Sequence, residues 1–327
     1  MKIVGIHSRS QRPITAIKLH SGECGFNAAG GGRFRLACFS LAKLHGWRVF
    51  FSALFLSVVL AEARVPVTLW PDAVPGQDEA KAPPVFSENT DGGVLRITKV
   101  TDPALIVYEA NPERRNGAAI IVCPGGGYNL LAADKEGYEV AEWLSQIGYS
   151  AFVLHYRVPQ QQMGALQDVQ RAIRLLRGES EVQSFDADKI GVLGFSAGGS
   201  LAALASTRHK DPFYERTGAS DSLSARPDFA VLIYPAYLDL GPGNTLTPEI
   251  HVDEQTPPMF LFVSADDFHA NSSLVMAAAL RQKQVPFELH VLPTGGHGYG
   301  MRPGNRAAEK WPHLLQSWLE ATVLQDE

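Results

Sequence analysis

The chain has 327 residues, 45% hydrophobic and 19% charged, a balance that excludes a disordered or low-complexity protein and allows a sizeable core. Residues 1–63 hold eight of its 29 Lys/Arg and two of its 34 Asp/Glu, so the remainder carries a net charge of −11. An acidic body repels phosphates, and no basic stripe with interleaved aromatics occurs, which argues against nucleic acid as a partner.

The first segment reads as a leader. Residues 1–48 are rich in Arg, Lys, Ser and Gly, with Glu23 as the one acid. The stretch Val49–Leu60 is predominantly apolar and too short for a comfortable membrane span. It ends in Ala61-Glu62-Ala63, a small-x-small pattern that fits a cleavage site. The expectation is a charged flank at Lys43 and Arg48, an apolar signal core at 49–60, and Arg64 as the first mature residue. Export to the periplasm or beyond follows, with an uncleaved membrane anchor as the alternative. Cys24 and Cys38 fall in this leader, so the body holds only Cys123; an internal disulfide is impossible there, and no Cys/His spacing suits a metal. No metal and no cofactor is expected.

Residues 64–92 read as an extended, loosely structured arm, and 93–327 as the main domain. Gly93–Val100 and Ala104–Ala110, joined by Thr101-Asp102-Pro103, suggest an antiparallel hairpin at a sheet edge. From residue 117 onward strand-like and helix-like runs alternate. Ala118–Cys123 is a buried strand, Glu136–Ile147 a helix and Ser150–Tyr156 a strand. Ala165–Arg177 is a helix with Leu166, Val169, Ile173 and Leu176 at helical spacing. The strand over 189–194 precedes a small-residue helix. Asp228–Tyr234, Met259–Val263 and Phe287–Leu292 are strands, Ser272–Gln284 is a helix capped by Ser272 or Asn271, and a last helix begins near Trp311 with Pro312 in its first turn. This alternation predicts a mostly parallel central sheet with helices on both faces. The irregular stretch Leu238–Pro258 would form a small lid at most. Asp168 and Arg171, three apart on one helix, read as a local ion pair, and Cys123, Trp311 and Trp318 as core.

The chemistry-bearing motif is Gly194-Phe195-Ser196-Ala197-Gly198-Gly199, which follows the apolar run 190–193. A strand that drives into a sharp turn and leaves as a helix exposes the serine at its apex, and the crowded neighbours two residues away on each side must be small. Serine is a weak nucleophile at neutral pH, so a base must take its proton and a third group must orient that base. His297 stands in the loop Gly295-Gly296-His297-Gly298 after the last strand, free to reach a neighbouring strand end. Asp266 and Asp267 follow the strand ending near Ser264; the spacing favours Asp267, with Asp266 as its rival. His269, close to that acid, is a minor rival for the base. The loop Pro124-Gly125-Gly126-Gly127-Tyr128 leaves a buried strand 69 residues before the serine. Its side-chain-free amides, from Gly126 and Gly127, together with the N–H of Ala197, would stabilise an oxyanion. Tyr128, Phe195 and Tyr299 adjoin these loops and are candidates to line a substrate cleft.

With these motifs in place, the chain resembles a known family. Pro-Gly-Gly-Gly-Tyr at 124–128, Tyr156-Arg157-Val158-Pro159, Gly-Phe-Ser-Ala-Gly-Gly at 194–199, the run Arg226–Pro235 and Gly-Gly-His-Gly at 295–298 look like the bacterial α/β-hydrolases of the acetylxylan-esterase and feruloyl-esterase type, often labelled xylanase or dienelactone hydrolase-like. The similarity covers roughly residues 66–325. It implies an α/β-hydrolase fold, a triad of Ser196, Asp267 and His297, oxyanion donors at Gly126, Gly127 and Ala197, and ester hydrolysis on a small-molecule or polysaccharide ester. A prolyl-oligopeptidase-like peptidase and a non-catalytic binding module on the same scaffold are the alternatives. Pro124 stands where lipases of the His-Gly-Gly-Gly pattern have histidine, so their substrate range does not transfer.

Overall fold

The computed structural model describes residues 64–89, 93–216 and 218–324. The expected leader, with its apolar stretch 49–60 and cleavage site, lies outside the described residues. Among the described residues no helix is long and apolar enough to cross a membrane.

In chain order the strands are β1 (Val67–Thr68), β2 (Val85–Asn89), β3 (Val94–Thr98), β4 (Ala104–Tyr108), β5 (Ala119–Cys123), β6 (Leu131–Ala132), β7 (Ser150–His155), β8 (Ile190–Phe195), β9 (Phe229–Ile233), β10 (Met259–Ser264) and β11 (Phe287–Leu292). The α-helices are α1 (Glu139–Gln146), α2 (Gln162–Gln183), α3 (Ala197–Thr207), α4 (Ala270–Gln282) and α5 (Arg306–Thr322). An eight-stranded sheet runs in the order β1-β4-β7-β5-β8-β9-β10-β11. The six strands from β7 to β11 are parallel, while β4 and β1 close one edge antiparallel.

Strand alternation divides the core between the two sheet faces. Ile121 and Cys123 of β5 point to the face covered by α2, α3 and α4, in one core cluster with Leu166, Leu201 and Met276. Ile120 and Val122 point to the opposite face and pack with Val140 of α1 and Trp311, Leu315 and Trp318 of α5. Central strands buried on both faces read as continuous apolar runs, which is why β5, β8, β9 and β10 are legible in the sequence.

Several local expectations differ from the structure. The runs around 94–98 and 104–108 form no hairpin. β4 pairs with β7 and β1 in the main sheet, whereas β3 joins β2 and β6 in a separate three-stranded sheet. The arm is not loose: Leu69 and Trp70 are buried, and the Trp70 indole N–H donates to Asp168 at 2.9 Å. Asp168 consequently does not pair with Arg171. It accepts from the Arg157 backbone N–H at 3.0 Å and pairs with the Arg157 guanidinium at 2.9 Å, while Arg171 pairs with buried Asp221. Tertiary partners that are fully buried outcompete a neighbour one helical turn away, because an unpaired buried charge is costly. α5 starts earlier than expected, capped by Asn305, whose side chain accepts from the N–H of Ala307, so Pro312 sits inside the helix. α4 starts at Ala270 without a side-chain cap. Ser272 and Asn271 instead bond Asp239, fastening the 238–258 stretch to the helix. That stretch carries no helix or strand, only the isolated bridge Gly241–Thr245. The expected helix from Glu136 begins as a π-helical turn, Asp134–Tyr138, before α1.

Candidate active site

Ser196 occupies the turn between β8 and α3 with φ +51° and ψ −117°, a conformation an L-residue holds only when its surroundings impose it. The crowding is backbone against backbone. A Cβ on Gly194 would stand 2.0 Å from the Gly198 carbonyl oxygen, and one on Gly198 would stand 2.0 Å from that of Cys123. Only glycine fits either position, which is the physical content of the Gly-x-Ser-x-Gly spacing.

Asp267 lies just past β10 and His297 in the loop after β11. The structure brings both to the serine. The His297 Nε2 is 2.8 Å from Ser196 Oγ, and its Nδ1 is 2.7 Å from Asp267 Oδ2. The Asp267 side chain is fully buried, and its second oxygen accepts from the His269 N–H at 2.8 Å. Asp266 points elsewhere: it is exposed, and its Oδ1 accepts from the Gly296 N–H at 2.8 Å, which shapes the histidine loop. With Asp267 accepting at Nδ1, the ring proton sits there and Nε2 is left as an acceptor for the serine hydroxyl. His269 lies edge-on to His297 at 5.3 Å, and burial, with the neighbouring imidazole second, holds its own imidazole below the usual range.

The glycine loop folds back on itself beside the serine. Gly126 and Gly127 have φ +136° and +63°, and a Cβ on Gly125 would be 2.9 Å from Ser196 Cβ. Ala197 is the first residue of α3, so its N–H has no partner within the helix. Among the described residues, no hydrogen bond uses the N–H of Gly126 or Gly127.

One residue beneath the site escapes a reading of the sequence. Glu136, in the π-helical turn, is 4% exposed; one carboxylate oxygen accepts from the Gly125 N–H and the other from the Tyr234 hydroxyl, each at 2.9 Å. The same Tyr234 hydroxyl accepts from the Gly300 N–H at 2.9 Å, and its ring lies edge-on to His297 at 5.0 Å. One buried carboxylate thereby fastens the glycine loop to the histidine loop. Burial pushes its pKa up, while the two donors and His297 pull it down. No periodicity marks a buried acid; the only trace is a glutamate lodged shortly after the glycine loop.

The three aromatic candidates separate. Tyr128 stacks near Tyr237 with ring centres 6.4 Å apart and lines a cavity of about 720 Å³ next to Gly127. Phe195 and Tyr299 do not reach it. Phe195 ends β8 with its side chain on the face of α1 and α5, packed 5.7 Å from Trp311, and Tyr299 is buried against Tyr234 at 4.4 Å. The strand alternation that exposes Ser196 turns Phe195 the other way. Among the described residues no cluster of His, Cys, Asp and Glu suits a metal ion.

A mostly parallel sheet with a serine at the turn after a central strand, and helices on both faces, defines an α/β hydrolase. A family model described as BD-FAE matches residues 105–233. An acetyl ester-xyloside bifunctional hydrolase from Caldicellulosiruptor lactoaceticus superposes with a TM-score of 0.67 at 33% identity, covering 82% of this chain and all of that one. The chain belongs to this family, the BD-FAE-type α/β hydrolases. It is also 28% identical over 236 residues to an acetylxylan esterase of Xylanibacter ruminicola, covering 64% of this chain and 47% of that protein. An endo-1,4-beta-xylanase B of Butyrivibrio fibrisolvens is 30% identical over 226 residues, covering 60% of this chain and 34% of that protein. The chain thus spans about half the length of the first of these curated relatives and a third of the second.

Proposed function

We propose that the chain is a serine carboxylesterase that deacylates an acylated carbohydrate through an acyl-enzyme. The observation that carries this reading is the continuous hydrogen-bonded path from Ser196 Oγ through His297 to buried Asp267, at 2.8 and 2.7 Å. Ser196 Oγ attacks the ester carbonyl as His297 Nε2 takes its proton. The oxyanion is held by the N–H groups of Ala197, Gly126 and Gly127. The imidazolium, stabilised by Asp267, protonates the leaving alcohol, and water then resolves the acyl-enzyme with His297 again as base. Carbohydrate as the alcohol side is supported by similarity to an acetylxylan esterase and to an acetyl ester-xyloside hydrolase.

Ser196→Ala is expected to lower turnover of short aryl esters by about 10⁴-fold or more, as removal of a triad nucleophile does elsewhere. It should also abolish labelling by a fluorophosphonate probe. Near wild-type turnover in the variant would refute the mechanism. An unlabelled wild type would point to a binding module, and cleavage of peptides in preference to esters to a peptidase. We propose in addition that residues 1–63 direct export, which the mass of the mature N-terminus would test: a start near Arg64 is expected, and an intact leader would refute cleavage.

A further inference from the structure

The oxyanion donors named so far are backbone amides. One side chain stands beside them with its hydroxyl unspent. Tyr237 lies just past β9, in a turn tied to the nucleophile's own peptide. The Ser196 N–H donates to the Ile233 carbonyl at 3.2 Å, and the Ser196 carbonyl accepts from the Ala236 N–H at 3.0 Å. The next residue, Tyr237, therefore keeps a fixed place relative to Ser196. Its phenol end abuts the glycine loop, since a Cβ built on Gly127 would stand 3.4 Å from Tyr237 Oη. That loop is itself held in place: Asn129 Nδ2 donates to the Gly127 carbonyl at 3.1 Å, and the Asn129 N–H to the Gly126 carbonyl at 3.0 Å.

The rest of Tyr237 is fastened. Its carbonyl accepts from Thr247 Oγ1 at 2.7 Å, and the N–H of Leu238 donates to Ser272 Oγ at 3.1 Å. Its ring packs with Tyr128 at 6.4 Å and edge-on with His269 at 5.2 Å, and His269 in turn lies edge-on to His297. Ring contacts thus run from the glycine loop round to the catalytic base. The Tyr237 backbone holds φ +62°. Glycine takes that conformation freely, whereas a tyrosine is strained in it, and such strain concentrates at functional sites. Tyr237 lines the cavity next to Gly127, and among the described residues no hydrogen bond occupies its hydroxyl. Other tyrosines near the serine have no donor to offer. Tyr156 gives its O–H to the Pro124 carbonyl at 2.6 Å and Tyr234 gives its own to Glu136 at 2.9 Å, while the hydroxyls of Tyr128 and Tyr299 are buried.

We infer that Tyr237 is a further catalytic residue: its hydroxyl donates to the carbonyl oxygen of the ester beside the Gly127 N–H, and the bond tightens as that oxygen becomes the oxyanion. The proton stays on the tyrosine throughout. A donor fixed before the substrate arrives needs no reorganisation when charge develops. The inference rests on the esterase reading. Tyr237→Phe keeps the ring and removes the donor, so unchanged melting is expected. Its kcat for 4-nitrophenyl acetate should fall by about tenfold or more with KM within about twofold, because loss of one oxyanion donor costs about 10²–10³-fold elsewhere and three amides remain here. The Ki of phenylboronic acid, which forms a tetrahedral adduct on the serine, should rise by about tenfold or more as well. A smaller loss in kcat would overturn the inference. So would a loss confined to KM, which would make the hydroxyl a contact to the bound ester alone. A wild type inert toward 4-nitrophenyl esters and unlabelled by a fluorophosphonate sinks the esterase reading and this inference with it. An active wild type with an equally active Tyr237→Phe variant sinks the tyrosine and leaves the esterase standing.

Discussion

Exchange of Asp267 for asparagine tests the site most sharply. The carboxylate has two committed partners, the His269 backbone N–H at 2.8 Å and the His297 Nδ1 at 2.7 Å. An amide has one acceptor oxygen. If that oxygen faces His297, the amide NH₂ is forced against a fixed backbone donor; if it faces His269, the NH₂ points at Nδ1. The backbone cannot move its proton, whereas an imidazole can change tautomer. The second arrangement therefore wins, and it places the ring proton on Nε2, where it can no longer accept from Ser196. A histidine held in the wrong tautomer costs a hydrolase of this kind about 10⁴-fold, or about 5 kcal/mol of transition-state stabilisation. Asp266→Asn is the internal comparison. Its amide oxygen can still accept from the Gly296 N–H, so a loss of less than tenfold is expected. The assay is kcat/KM for 4-nitrophenyl acetate in the two variants, with thermal melting to confirm folding. A loss under tenfold in Asp267→Asn, or a larger loss in Asp266→Asn, would refute the assignment of the acid.

Three further outcomes are expected. In Glu136→Gln one of the two donors, Gly125 N–H or Tyr234 O–H, loses its acceptor, so stability should fall by about 1–3 kcal/mol and kcat by roughly 10–100-fold through a loosened glycine loop; full kcat in a folded variant would show that the carboxylate does not position the loop. His155 is buried, and burial lowers its pKa to about 4, so the unfolded chain takes up a proton below about pH 6.5 that the folded chain refuses until about pH 4. Stability should therefore drop as pH falls through that window, by about 1.4 kcal/mol per unit from this residue, and urea titrations should show a shallower drop in His155→Gln; parallel curves would contradict this. Trp70→Ala should cost about 3–5 kcal/mol by denaturant titration, since it opens a cavity and strips a partner from buried Asp168; a cost under 1 kcal/mol would mean that the N-terminal segment is only loosely attached.

Much of this architecture is legible in the sequence, and the reasons are physical. Strands buried on both faces leave unbroken apolar runs, and a strand–turn–helix with no room for side chains leaves glycines at fixed offsets from Ser196. His297 and Asp267 are legible because each sits in a short loop straight after such a run. What the sequence hides is pairing at a distance. Nothing local says that Val94–Thr98 leaves the main sheet for β2, that Trp70 reaches Asp168, or that Glu136 lies under the glycine loop, since each depends on partners many residues away. Phe195 and Tyr299 pack on the α1 and α5 face for a related reason. Proximity in sequence to the reacting serine and histidine says nothing about which side of the sheet a ring occupies.

The strand order carries one more consequence. Ser196 leaves β8, which has three parallel neighbours on one flank and several strands on the other, whereas His297 leaves β11, the last strand of the sheet, bonded on one side only. Openings of a native protein begin where fewest bonds must break. On warming, the outermost strand frays while the middle of the molecule is still intact, and the imidazole departs with it. Thermal inactivation would then run ahead of loss of helical signal, with the nucleophile left well ordered and idle.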